Sequence, residues 1–104
     1  MASEAEKQYM GKVASLGCWA CRKMGYYDTP AEIHHVSKWL GKGQRASNYD
    51  VIPLCPHHHR NGGYGEAIHA GRKAWEARFG NEFDMLREVK EAINEQLETN
   101  RNSA

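Results

Sequence analysis

The 104-residue chain has no run of 18 apolar residues, which excludes an apolar helix that crosses a membrane. Its amino terminus carries no charged segment followed by an apolar one, so no secretory signal is expected. Cysteine is scarce, at three residues, and an odd number cannot all pair as disulfides. That usage fits a reducing, cytoplasmic compartment. Net charge is only +1, which by itself does not point to nucleic acid. Repeats and low-complexity linkers are lacking, and the length suits a single domain, residues 1–104. A domain of this size buries a modest core and often needs a staple.

What is present is concentrated. All three cysteines and five of the six histidines fall in Cys18-Trp19-Ala20-Cys21, His34-His35 and Cys55-Pro56-His57-His58-His59. Thiolate and imidazole are the ligands that transition metals prefer. A structural zinc takes four ligands in a tetrahedron. Cys18, Cys21 and Cys55 supply three, and His58 gives the x2 spacing that brings a fourth to the same side of a turn. His57 is the alternative fourth ligand. The competing explanation is three thiols packed as small apolar side chains, but paired x2 spacings rarely arise by chance. A zinc site of this kind contributes on the order of 10 kcal/mol to folding.

Local signals place these clusters on elements. Ser3-Glu4-Ala5-Glu6 reads as a capping box that opens a helix to about Leu16, with Tyr9, Val13 and Leu16 on one face and Gly17 closing it. The Cys-x2-Cys pair then sits on a tight turn. Ile33-His34-His35-Val36 reads as a strand, and Val51-Ile52-Pro53-Leu54 as a second one with Pro53 at its end or on an edge. The chain turns at Cys55-Pro56 into a helix that Asn61-Gly62-Gly63-Tyr64-Gly65 interrupts. A helical pattern resumes near Glu66, carries Ile68, Trp75 (a core residue) and Phe79, and stops at Gly80. The last helix, about 81–99, sets Phe83, Leu86, Ile93 and Leu97 at helical spacing, a stripe expected to pack inside one chain, as in a monomer.

With Cys55 and His58 assigned to zinc, His34, His35, His59 and His69 remain. Neighbours on a strand point to opposite faces unless a twist or bulge turns them together. Tandem histidines can then split roles, one binding a metal and one accepting a proton from water. Phosphodiester hydrolysis needs both a general base and a cation against the developing charge. His35 suits the base, with His34, His59 and His69 around a divalent ion. Three imidazoles favour Zn²⁺, Ni²⁺ or Mn²⁺ over Mg²⁺ in affinity, although availability selects Mg²⁺ or Mn²⁺ in many such sites.

Charge is distributed to match. Residues 1–79 hold 11 Lys/Arg against 7 Asp/Glu, and residues 80–104 hold 3 against 6. A phosphate-binding face, if present, is expected on the first part, with the acidic tail pointing away from it or serving only as a solvated helix. Lys38, Lys42, Gln44, Arg45, Arg60, Arg72 and Lys73 flank the histidines in sequence, with Lys42 and Lys73 better read as solubilising. Backbone contacts from such residues give affinity without base reading. Trp39 is open to a stacking role.

Cys18-x2-Cys21, Glu32-Ile33-His34-His35-Val36 and Asp50-x-Ile52-Pro53-Leu54-Cys55-x2-His58-His59-Arg60 together resemble an HNH endonuclease with a zinc knuckle. More narrowly, Gln44-Arg45-Ala46-Ser47 and Gly62-Gly63-Tyr64-Gly65 through Ile68-His69-Ala70-Gly71 resemble the phage Ref family of recombination-enhancement nucleases, over about residues 6–85. The resemblance implies an α+β, ββα-metal (HNH, His-Me finger) domain with flanking helices. Residues 1–17 would be the N-terminal helix, 18–79 the knuckle and catalytic core, and 80–104 the C-terminal helix. It implies a phage- or prophage-encoded DNA endonuclease of the bacterial cytoplasm, with His35 as base and His34, His59 and His69 as ligands of the catalytic cation. Asp50 stands where the family's central Asn orients the base, and Asn48 competes for that role. Many HNH proteins keep their last two ligands four residues apart, whereas ten separate His59 from His69 here. Some relatives act with a recombinase filament and carry a long basic arm. The 17 near-neutral residues before Cys18 argue against that dependence. The rival function is a non-catalytic zinc module that binds nucleic acid or protein, and it has no use for the spare histidines.

Overall fold

The computed structural model of the chain describes residues 2–36 and 47–102. The amino-terminal helix α1 spans Glu4–Ser15. Its capping box forms as expected: the Glu6 amide donates to Ser3 Oγ at 3.1 Å and the Ser3 amide donates to Glu6 Oε1 at 2.7 Å. Val13 is fully buried, and Tyr9, Met10 and Leu16 pack beside it. Gly17 ends the helix at φ +83°, where a Cβ would lie 3.1 Å from the Asp28 backbone, so both conformation and space require glycine.

The Cys-x2-Cys turn is a short helix, α2 (Trp19–Lys23). Its N-cap is Cys18, whose sulfur accepts from the Cys21 amide at 3.4 Å. The Trp19 indole donates to Glu88 at 2.9 Å, and the Lys23 ammonium donates to the same oxygen at 2.7 Å, which fastens α2 to the last helix.

Strands β1 (Glu32–His35) and β2 (Val51–Leu54) form an antiparallel two-stranded sheet, with His34 opposite Ile52 and His35 opposite Val51. Pro53 sits inside β2, opposite Ile33, rather than at its end. A two-stranded sheet leaves each strand one free edge, which tolerates the missing N–H. Strand β2 is buried throughout and packs against α1, α2 and the last helix, so it is the spine of the core.

Beyond β2 the expected helix is a single π turn, His57–Asn61, closed by the Gly62 amide donating to the His57 carbonyl at 2.8 Å. A 3-10 turn follows at Ile68–Ala70, and helix α3 begins only at Arg72 and runs to Phe79. The pattern read from Glu66 is thus two short elements divided at Gly71. Helix α4 spans Glu82–Asn102 and buries Met85, Leu86, Val89 and Ile93. Phe83 and Leu97, expected on its apolar stripe, are instead 36% and 42% exposed. The true stripe is rotated, because 85, 86, 89 and 93 satisfy the i, i+4 repeat about the core more closely. Trp75 is fully buried, as expected for a core residue. The architecture is a small α+β arrangement of helices around one hairpin.

Candidate functional site

Among the described residues three groups of metal-ligating side chains draw on the π turn: one, His57, His58 and Glu66, shares His58, and the other two lie side by side. In the first, Cys18, Cys21, Cys55 and His58 are all buried and their ligand atoms converge. His58 Nδ1 lies 3.8 Å from Cys18 Sγ, 3.5 Å from Cys21 Sγ and 3.2 Å from Cys55 Sγ. Cys21 Sγ and Cys55 Sγ are 3.9 Å apart. A zinc tetrahedron with bonds of about 2.3 Å has edges near 3.8 Å, so this spacing fits such an ion. Burial pushes the Cys18 thiol up to about 12, a cost to the thiolate that a bound cation offsets. Phe79 covers the His58 ring, with centroids 4.9 Å apart. His57, the alternative ligand, is exposed and contacts Glu66 through Nε2 at 3.1 Å.

The second cluster is His34 from β1, His59 from the π turn and His69 from the 3-10 turn. Their ligand nitrogens lie within 4.8 Å of one another. Ring centroids are 5.1 Å apart for His34–His59, 5.6 Å for His34–His69 and 4.3 Å for His59–His69. The glycine-containing segment between His59 and His69 folds back and returns His69 to the pocket. Successive side chains leave a helical turn in different directions, about 100° apart in an α-helix and less in a π turn. His57, His58 and His59 are therefore directed to Glu66, to the cysteines and to His34 in turn. Gly62 permits this closure, since a Cβ there would come within 2.5 Å of the His57 carbonyl.

Carboxylates back both buried imidazoles. His59 Nδ1 contacts Glu32 Oε1 at 2.7 Å, and His34 Nε2 contacts Glu82 Oε2 at 2.9 Å. Each contact fixes one ring nitrogen and leaves the other for a ligand or proton, the arrangement that orients metal-binding histidines. Burial lowers the His59 pKa, which favours the neutral ring a cation needs. Arg60 donates to both oxygens of Glu32, at 2.7 and 3.1 Å, and with His59 holds that carboxyl at about 2. Glu82 is 2% exposed, with Arg72 Nε 3.9 Å from its other oxygen.

His35 is exposed where His34 is buried, as strand alternation dictates. Its Nε2 lies 2.8 Å from Asn48 Oδ1, while Asn48 Nδ2 donates to Glu6 Oε2 at 3.0 Å. Asn48, the competitor for the orienting role, is thus the residue at the imidazole. Asp50 is not. Val36 donates its amide to the Asp50 carbonyl at 2.9 Å, so Asp50 follows Val36 onto the face opposite His35. The Asp50 carboxylate accepts from Lys90 at 2.8 Å instead.

Arg60 and Arg72, expected at a phosphate-binding rim, border the pocket with side chains 54% and 44% exposed. The expectations for Lys38, Trp39, Lys42, Gln44 and Arg45 lie outside the described residues. Sequence reasoning missed Glu32, Glu82 and Glu6. Glu32 carries a legible signal, two residues before His34 and therefore on its face of the strand. Glu82 arrives from 48 residues away with no local signature.

A family model described as "Recombination enhancement, RecA-dependent nuclease" matches residues 2–94. No curated protein matches the chain. Among the described residues, no helix is long and apolar enough to cross a membrane.

Proposed function

Because the chain belongs to the recombination-enhancement, RecA-dependent nuclease family, we propose that it is a metal-dependent DNA endonuclease of the HNH, ββα-metal type. Strands β1 and β2 with the following π turn take the place of the ββα unit, and one domain holds knuckle, hairpin and helices. Cys18, Cys21, Cys55 and His58 hold a structural zinc. His34, His59 and His69 hold a second divalent cation, Mg²⁺ or Mn²⁺ by availability, with Zn²⁺ or Ni²⁺ able to occupy the same imidazoles. The observation that carries the reading is the convergence of those three histidines, two of them braced by carboxylates, with His35, held by an amide, the next residue along β1 from His34.

The second cation supplies neutralisation of the phosphate and of the leaving oxygen. The residues supply the rest. His35, bonded through Nε2 to Asn48 Oδ1, has Nδ1 as the nitrogen that takes a proton from the attacking water. Asn48 fixes the ring's direction. Glu32 and Glu82 hold His59 and His34 in place. Arg60 and Arg72 contact the DNA backbone at the rim, where charge raises affinity without reading sequence. The family's description is of a RecA-dependent nuclease, so the proposal takes a RecA-type filament as the setting of the cut, against the expectation from the residues before Cys18.

The test is nicking of supercoiled plasmid by zinc-loaded protein with Mg²⁺ or Mn²⁺, with and without a recombinase filament. Cutting is expected, and His35→Ala is expected to stop it while zinc content and fold stay intact. Undiminished cutting by His35→Ala removes the proposed base. Absence of cutting by folded protein under every divalent cation, filament included, favours the binding-module alternative.

A further inference from the structure

The amide of Asn48 has two ends of nearly equal shape, and its partners determine which end meets His35. Glu6 Oε2 is a carboxylate oxygen and accepts only, so the end facing it is the donor Nδ2, at 3.0 Å. The carbonyl end Oδ1 is then forced toward His35, at 2.8 Å. An amide oxygen also only accepts, so the hydrogen must lie on His35 Nε2 and the lone pair on Nδ1. Were the amide reversed, Nδ2 would donate to Nε2, the hydrogen would move to Nδ1, and no free acceptor would remain there. A residue 42 positions from Asn48 thus stands behind the choice of nitrogen.

Helix α1 is built to hold this contact. The two oxygens of Glu6 are divided: Oε1 accepts from the Ser3 amide at 2.7 Å, and Oε2 accepts from Asn48. The helix cap therefore pins the carboxylate before it reaches the site. One turn further on, Tyr9 packs against Tyr49, the neighbour of Asn48, with ring centroids 5.1 Å apart. Residues three apart share a helix face, so Glu6 and Tyr9 grip the turn at 48–49 together.

We infer that Glu6 is a positioning residue for the nuclease reaction, which sets the tautomer of His35 by orienting the Asn48 amide, and that α1 is by this route part of the active site. The inference rests on the reading of His35 as the proton acceptor. It assigns to the amino-terminal helix a role beyond packing.

The experiment combines long-range ¹H–¹⁵N NMR of histidine-labelled, zinc-loaded protein with nicking kinetics. The expected wild-type state has the His35 hydrogen on Nε2. Glu6→Ala and Glu6→Met, which lack the acceptor but keep helix-forming side chains, should shift His35 toward the Nδ1–H form. They should lower kcat by about 10- to 100-fold with KM little changed, as losses of outer hydrogen-bond partners do. Glu6→Gln, whose single amide oxygen can accept from the Ser3 amide or from Asn48 but not from both, should fall between wild type and Glu6→Ala in both tautomer and kcat. Ser3→Ala, which breaks the cap and spares the Asn48 contact, should lower Tm without moving the tautomer or kcat. An unchanged tautomer in Glu6→Ala and Glu6→Met overturns the inference. So does Ser3→Ala slowing the reaction as much as Glu6→Ala, since Glu6 would then be only a helix cap. Full nicking by His35→Ala instead removes the proton-acceptor reading, and the NMR measurement still decides whether Glu6 sets the tautomer.

Discussion

The two ligand clusters share the π turn and differ in almost everything else. His58 and His59 are consecutive, yet one faces three sulfurs and the other two imidazoles. The sulfur cluster is sealed, with every member under 9% exposed and Phe79 set edge-to-face against His58. The histidine cluster grades from buried His34 and His59 to exposed His69. It also has carboxylates at 2.7 and 2.9 Å behind two of its rings, whereas the nearest to His58 is Glu66 at 3.8 Å. A closed four-ligand site serves stability, and a three-ligand site with an open side serves chemistry. Side-chain direction within five residues lets one turn contribute a ligand to each.

Breaking the sealed cluster should have the largest effect. Structural zinc contributes about 10–16 kcal/mol in zinc-finger peptides, which rivals the 5–15 kcal/mol of net stability typical of a domain. Cys55→Ser, or removal of zinc by a strong chelator, should therefore unfold the protein. Circular dichroism with metal analysis reads this directly. A folded, zinc-free Cys55→Ser protein that still nicks DNA would erase the distinction between the two clusters.

Opening the second cluster should cost function and spare the fold. His69→Ala is the cleanest probe because the ring is exposed. Nicking should fall at least 100-fold, in the range that loss of catalytic groups produces, and zinc content and Tm should hold. His34→Ala should lose nicking and also stability, since Glu82 would keep a buried carboxylate stripped of its 2.9 Å partner, a loss of about 1–3 kcal/mol. Equal Tm for the two variants would mean that Glu82 finds another partner. Next in size is Asn48→Ala, expected to slow nicking about 10- to 100-fold through His35. Asp50→Ala should leave the rate near wild type, because that carboxylate serves Lys90.

The same contrast explains what could be read in the sequence. Ser3 and Glu6 announced α1 because a capping box is complete within four residues. Cys18, Cys21, Cys55 and His58 were legible because x2 spacing is itself the geometry of a knuckle. His69 was named for its chemistry, but its return across the glycine segment depends on a 3-10 turn and on Gly62, which no local periodicity encodes. The π turn has the residue pattern of an ordinary helix start, since a single i→i+5 closure has no residue signature. Phe83 and Leu97 were placed inward because two apolar stripes overlap on α4, and only packing against β2 selects the one through Val89. Asp50 stood one residue out of strand phase, which becomes visible only once Val36 is seen paired with it. The sealed site was written in short-range spacing, and the open one in long-range approach.

The finest comparison lies within the open site, between Glu32 and the arginine that holds it. Glu32→Gln replaces the charged partner of His59 Nδ1, and second-cation affinity, read by Mn²⁺ titration, should weaken about 10- to 100-fold. Arg60→Gln should not weaken it at neutral pH. Arg60 is the largest cause of the depressed Glu32 value of about 2, and without it the carboxyl moves back toward its ordinary 4.5. At pH 7 Glu32 is ionised in either case and still serves His59. The direction of the pH effect follows. A depressed carboxyl contributes its interaction above its ordinary pKa and loses it as pH falls toward the folded value. Mn²⁺ affinity of Arg60→Gln and wild type should therefore stay equal over the pH range in which the imidazole ligands are neutral. At neutral pH its cost should appear in DNA affinity, with the salt slope reduced by about one, because the guanidinium is more than half exposed at the rim. If Arg60→Gln instead weakens Mn²⁺ at pH 7 as much as Glu32→Gln does, the guanidinium positions the carboxylate as well as lowering its pKa, and Arg60 belongs to the cation site rather than to its DNA-facing edge.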